Sequence, residues 1–155
     1  MKKVIVKLEF EGKDFGYMRI DKKGTFYGGG SESEAVEFEL EKYSKLKEAN
    51  YFKVSGTKGY LDFKATSSIL FSDTPWLSVD SSSICAWKII DNELHAILGG
   101  KDTTKAVSRS AHDSSTSALY ANSPIDNNHC TVTLVDATKK SSNNEKEELK
   151  HALTV

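Results

Sequence analysis

The chain has 155 residues, with 21 Lys and Arg against 22 Asp and Glu, a net charge of −1 and 38% hydrophobic residues. That length suits one domain able to bury a sizeable core. The charge balance gives no global pull toward nucleic acid or an anionic membrane, and no apolar run is long enough to span a bilayer.

Val4, Val6, Leu8 and Phe10 alternate with Lys7, Glu9 and Glu11. A period of two with β-branched and aromatic residues predicts a half-buried strand from Lys3 to Glu11. The same charges interrupt any signal-like apolar core, so a cytoplasmic location is expected. Gly12-Lys13-Asp14 turns the chain into a strand from Phe15 to Asp21, and Lys22-Lys23-Gly24 turns it into a short strand, Thr25 to Tyr27. Gly28-Gly29-Gly30 reads as a flexible turn that breaks the sheet.

The next stretch carries two periods. Val36, Phe38 and Leu40 alternate with Glu37, Glu39 and Glu41, as in a strand. Ser31 with Glu34 has the form of a capping box, and Val36, Leu40 and Tyr43 fit helical spacing. A strand to Glu41 followed by a helix from Glu41 to Ala49, with Tyr43 and Leu46 inward, is the preferred reading. A single helix from Ser33 to Asn50 is the alternative.

Tyr51 to Ser55 and Tyr60 to Thr66 form a hairpin around Gly56-Thr57-Lys58-Gly59, which Ile69-Leu70-Phe71 extends. Asp73-Thr74-Pro75-Trp76 reads as a turn. Ile84 to Ile90 and Glu93 to Leu98 form a second hairpin around Asp91-Asn92, residues that tolerate the left-handed backbone of tight turns. From Gly99 to Asn128 the sequence turns polar and reads as a long loop, of functional interest because plain connectors are shorter. Cys130 to Ala137 gives a last strand. Lys139 to Asn144 is a polar linker to a short C-terminal helix, with Glu145, Glu147 and Glu148 in its first turn, Lys150 and His151 in its last, and Leu149, Ala152 and Leu153 as its apolar stripe. A helix this short needs something to dock on.

The expected fold is therefore α+β: a mostly antiparallel β-meander sheet or small barrel with one packed helix and a short C-terminal helix. Residues 1–138 form the β-rich globular domain, with the polar loop 99–128. Residues 139–155 supply the linker and helix.

For chemistry, His129-Cys130-Thr131 places a histidine and a threonine on one side of a strand. It resembles one His-x-Thr motif of the 2H phosphoesterases, whose two facing motifs bind phosphate and exchange protons. The resemblance implies a partner at His95, where Ile97 stands in place of the family's Ser or Thr. On that alternative His95, His129 and Thr131 would be catalytic, with a nucleotide as substrate. Ser115-Thr116-Ser117 with Glu145-Lys146-Glu147 resembles motifs of the ADP-ribosyltransferases, but neither Arg19 nor Arg109 has the spacing to complete them. Ser110, His112 and Asp113 have the letters of a triad, yet share one polar segment rather than a rigid frame.

Cys85, Cys130, His95, His112 and His129 show no C-x-x-C or H-x-x-x-H pair, so no metal and no cofactor is expected. Two cysteines make no disulfide framework; a Cys85–Cys130 bridge is open only if their strands are neighbours. Gly28-Gly29-Gly30 lacks the lysine and spacing of a phosphate loop. The aromatics concentrate in the first 90 residues. Trp76, Tyr120, Arg109 and His112 are the candidate binding residues, since amphipathic aromatics and arginine favour interfaces. The leading expectation is a non-enzymatic binding protein with a protein or small-ligand partner: a compact inhibitor, an immunity-type protein or a phage-encoded protein. Open sheet edges would favour self-association.

Overall fold

The computed structural model describes residues 2–64, 76–80, 85–111, 113, 115–125 and 127–137, with the backbone alone for Lys64 and 76–80. The strands are β1 (Lys3–Phe10), β2 (Lys13–Ile20), β3 (Phe26–Gly30), β4 (Phe38–Lys42), β5 (Asn50–Val54), β6 (Tyr60–Lys64), β7 (Trp76–Asp80), β8 (Ala86–Ile90), β9 (Glu93–Leu98), β10 (Lys101–Ser108), β11 (Tyr120–Asn122) and β12 (Thr131–Asp136). All are joined in antiparallel ladders.

The ladder runs β3-β2-β1-β4-β5-β6-β7-β11-β10-β9-β8 and returns from β8 to β5 through the single pair Asn50↔Trp87. Seven strands, β5 to β8 in ladder order, thus close a ring. β1 is the hub of the remainder. It pairs with β12 from Val4 to Glu9, with β4 at Lys3 and Val4, and with β2 from Lys7 to Phe10. The outer edge of β3 is covered by residues 117–119: Gly28 N donates to Ser117 O (2.8 Å) and Leu119 N to Phe26 O (3.0 Å).

Ile5, on the face expected to meet water, is buried and Phe10 only partly so, while the other expected inward residues Val4, Val6 and Leu8 are fully buried. Those three join Met18, Phe26, Phe38, Phe52, Leu61, Trp87 and Leu94 in one core. Phe26, Phe38 and Phe52 run through it in ring contact, with centroids 5.8 and 5.5 Å apart. The Trp87 indole, wholly buried, donates its N–H to Leu61 O at 2.9 Å, so its polar edge is satisfied across the ring.

The α+β expectation is corrected: the fold is nearly all antiparallel β, and the only helical element described in full is the 3-10 turn Glu32–Glu34. The capping residues do meet, with Ser31 N donating to Glu34 Oε1 at 2.9 Å, and that bond holds the Glu34 carboxyl below its ordinary range. They cap one turn and no more. The helix expected from Glu41 to Ala49 is instead the end of β4 and a hairpin connection into β5, and the longer alternative, Ser33 to Asn50, divides into the end of the 3-10 turn, all of β4, that connection and the first residue of β5. Tyr43 N donates to Ala49 O at 3.0 Å across it, and Glu48 takes a left-handed φ of 64°. Five register pairs, Phe38↔Val54 to Lys42↔Asn50, tie residues 38–42 to β5, a pairing that a helix starting at Ser33 or Glu41 would forfeit in whole or in part. Tyr43 and Leu46 still turn inward, against Ala49, Ala86, Ile97 and Tyr51.

Gly28-Gly29-Gly30 does not break the sheet; it completes β3. A Cβ on Gly28 would collide with the Phe15 ring, so the glycine there lets an aromatic pack directly against the strand. The stretch 99–128 is not one loop either. It holds β10 and β11, and its polar look arises because Lys101 and Asp102 are exposed while Ala106, Val107 and Ser108 are buried. Trp76 opens β7 rather than sitting in a turn. The strand extension at 69–71 and the expected C-terminal helix fall outside the described residues. Among those described, no helix is long and apolar enough to cross a membrane.

Candidate functional site: a histidine–carboxylate chain and an apolar cleft

The Asp91-Asn92 turn, with φ of 52° and 65°, joins β8 to β9 as the sequence implied. It places Glu93 and His95 on one side of β9, two residues apart. His129 precedes β12 and bridges to Ser108 on β10. The rings of His95 and His129 come to 6.4 Å between centroids, tilted by 75°. Glu93 Oε1 lies between them, 2.8 Å from His129 Nδ1 and 3.4 Å from His95 Nε2. Beyond His95, Asp102 Oδ1 meets Nδ1 at 3.0 Å and also accepts Thr104 N at 2.8 Å, in the irregular part of β10. Beyond His129, Nε2 lies 2.9 Å from the Asn122 carbonyl.

The result is a chain, Asp102–His95–Glu93–His129–Asn122, rather than a convergence on one point. Among the described residues no three His, Cys, Asp or Glu side chains are grouped to hold a metal ion. The Asn122 carbonyl can only accept, so His129 Nε2 donates. Both rings are largely buried, with side-chain exposures of 12% for His95 and 8% for His129.

The neighbourhood is firmly tied. Asn122, fully buried, donates from Nδ2 to the carbonyls of Arg109 (2.9 Å) and Asn127 (3.1 Å). Its own Oδ1 is buried with no hydrogen-bond partner among the described residues. Cys130 follows His129 and is free and buried, its thiol pushed up to about 12 by burial. Cys85 is likewise free and buried, and pushed higher, by burial first and by Asp62 second.

The other expected site residues scatter. Thr131 is exposed and stands opposite Glu9 in the β1–β12 ladder. Tyr120 is half-buried and pairs with Ser108 and with Trp76, whose side chain is outside the described set. Arg109 is not held out to solvent: its guanidinium stacks between the rings of Phe15 (4.4 Å) and Phe10 (5.2 Å), and Nη2 donates to Thr116 O at 3.2 Å. His112 falls outside the described residues.

A second feature was missed from sequence. Where the β8–β5 ladder thins to one pair, a half-open cleft of about 180 Å³ is lined by Phe52, Trp87, Leu94, Ile89, Leu134, Asn50 and Glu48. Phe52, Trp87 and Leu94 are buried, Ile89 is 37% exposed, and Glu48 is the one charged residue. Glu93 could have been found, since Glu93-x-His95 shares a strand face. The cleft could not, because its walls come from β5, β8, β9 and β12.

Compared with known protein families and with curated proteins, the chain matches none.

Proposed function

We propose that the protein is a non-enzymatic binding protein that takes an apolar side chain of a protein partner into the cleft between β5, β8 and β12. The cleft itself carries this reading. At about 180 Å³ it is smaller than the roughly 300–1,000 Å³ of small-molecule sites, and it suits one leucine or phenylalanine side chain. Its walls are apolar and its floor is rigid core, the arrangement in which a single anchor contributes most of the binding energy. Two free, buried thiols suit a reducing, cytoplasmic compartment.

The test is to pan a random peptide library against the immobilised full chain. Recovered peptides should share a leucine or phenylalanine, and their binding should vanish in Ile89→Glu while its urea midpoint stays at the wild-type value. Peptides lacking an apolar anchor, or indifferent to Ile89→Glu, would refute the reading.

The approach of His95 and His129 supports a second reading, a 2H-like phosphoesterase acting on a nucleotide. It requires that the chain hydrolyse a cyclic or linear nucleotide, and that His95→Ala and His129→Ala each abolish this while the fold persists. Absence of turnover across a nucleotide panel would remove it.

A further inference from the structure

We propose that the partner binds as an added β-strand: an extended peptide segment pairs with the open edge of β8 at Ile89 and sends its apolar anchor, the residue opposite Ile89, into the cleft. This inference rests on the cleft being the binding site and names the backbone form of what binds there.

Main-chain hydrogen bonds along β8 lead there. The two-residue turn Asp91-Asn92, left-handed at both positions, makes Ile90 and Glu93 a pair that exchanges main-chain bonds. By alternation Lys88 also faces β9, while Trp87 and Ile89 turn their N–H and C=O to the other side. Trp87 meets Asn50 of β5 on that side, as the alternation requires. One step further the ladder stops. Glu48, in register opposite Ile89, takes a left-handed φ of 64° and lies outside β5. Among the described residues no main-chain bond reaches the outer N–H and C=O of Ile89. The opposite wall has the same property. Val132 N donates to Asn92 O at 2.8 Å, so it points away from β1, and Leu134, two residues on, points the same way. Leu134 makes no main-chain bond on that side among the described residues.

Two lining residues of the cleft, Ile89 and Leu134, thus belong to open strand edges. An extended peptide supplies the N–H and C=O such an edge lacks, whereas a helix spends its own main-chain groups internally. Register then identifies the anchor. Trp87 and Ile89 share one face of β8, Trp87 is wholly buried, and Leu94, paired with Ile89 from β9, lines the cleft. Directly opposed residues in a ladder share a face, so a residue opposite Ile89 points into the cleft. Within two residues of Glu48, Ile89 and Leu134 the charged side chains are Glu48, Asp91 and Asp136 against Lys47 and Lys88. Glu48 alone of these lines the cleft, so the segment carries a basic rather than an acidic residue beside its anchor.

The experiment follows the Ile89 amide of the full, nitrogen-labelled chain by NMR, with library peptides carrying a labelled carbonyl at the anchor. In the free chain this amide should exchange quickly with solvent, unlike that of Trp87. With peptide bound it should slow about tenfold or more, and a coupling across the hydrogen bond should link its nitrogen to the anchor carbonyl. Replacing the anchor's amide by an ester, which removes only the N–H, should weaken binding by about three- to tenfold. An Ile89 amide slow in the free chain at every concentration would overturn the inference, because the edge is already covered. Slowing that grows with chain concentration would overturn it in favour of a second copy. Peptides lost in Ile89→Glu that tolerate the ester and show no coupling would overturn strand addition and leave the cleft reading intact. Recovery of no peptide with an apolar anchor would overturn both.

Discussion

Gly28→Ala tests how β2, β3 and the Arg109 stack depend on one missing methyl group. The new Cβ would sit 2.4 Å from the Phe15 ring, with two further ring carbons at 2.7 and 2.8 Å. Those distances are well inside contact, so the ring or the strand must move. Overpacking of this kind costs about 1–3 kcal/mol. Against it stands the reduced entropy of the unfolded chain, which favours Ala over Gly by about 0.4–1 kcal/mol. If Phe15 escapes by swinging away, it abandons the Arg109 guanidinium 4.4 Å from its centroid, an interaction of about 0.5–2 kcal/mol. Either route leaves a net loss of roughly 1–2 kcal/mol, or a few degrees in Tm for a chain of this size. Urea unfolding of Gly28→Ala, Phe15→Leu and the double variant measures it. The smaller leucine should relieve the clash, so the double variant should lose less than the sum of the single changes. A Gly28→Ala chain as stable as wild type, or additive losses, would refute this account of the triple glycine.

His129→Ala removes two hydrogen bonds from a side chain only 8% exposed and leaves Glu93 with His95 alone, so a loss of about 1–3 kcal/mol is expected in urea unfolding; a change within about 0.5 kcal/mol would show that the histidine–carboxylate chain does not support the fold. Cys85 and Cys130, both buried with raised thiols, should resist a disulfide reagent in the native chain and react together on unfolding; rapid native labelling of either would contradict their burial. The Tyr60 hydroxyl donates to Glu41 Oε1 at 2.8 Å, and that bond raises the phenol above its ordinary 10.0. The folded chain therefore holds this proton more tightly than the unfolded one. Its contribution is complete below the unfolded value and is lost as pH rises through the folded value. Tyr60→Phe should flatten that alkaline loss of stability, and an unchanged profile would refute it.

The sequence by itself determined the local pieces. Alternation fixed the inward face of β1, and the Asp91-Asn92 turn set the β8–β9 register, because side-chain period and turn conformation are local properties. It placed Glu93 and His95 on one strand face for the same reason. Tertiary structure decided what local physics left balanced. The 36–43 stretch satisfies both a helical and an extended period, and the β5 ladder over Phe38–Lys42 chose between them. The triple glycine reads as a turn until Phe15 is known to lie on it. β10 reads as loop because its buried residues cluster at one end instead of alternating, a consequence of its irregular pairing with β9. The bridge from His95 to His129 through Glu93 spans 36 residues between Glu93 and its partner, and the cleft draws on four strands. Both exist only once the ladders close, since no periodicity encodes which distant strands meet.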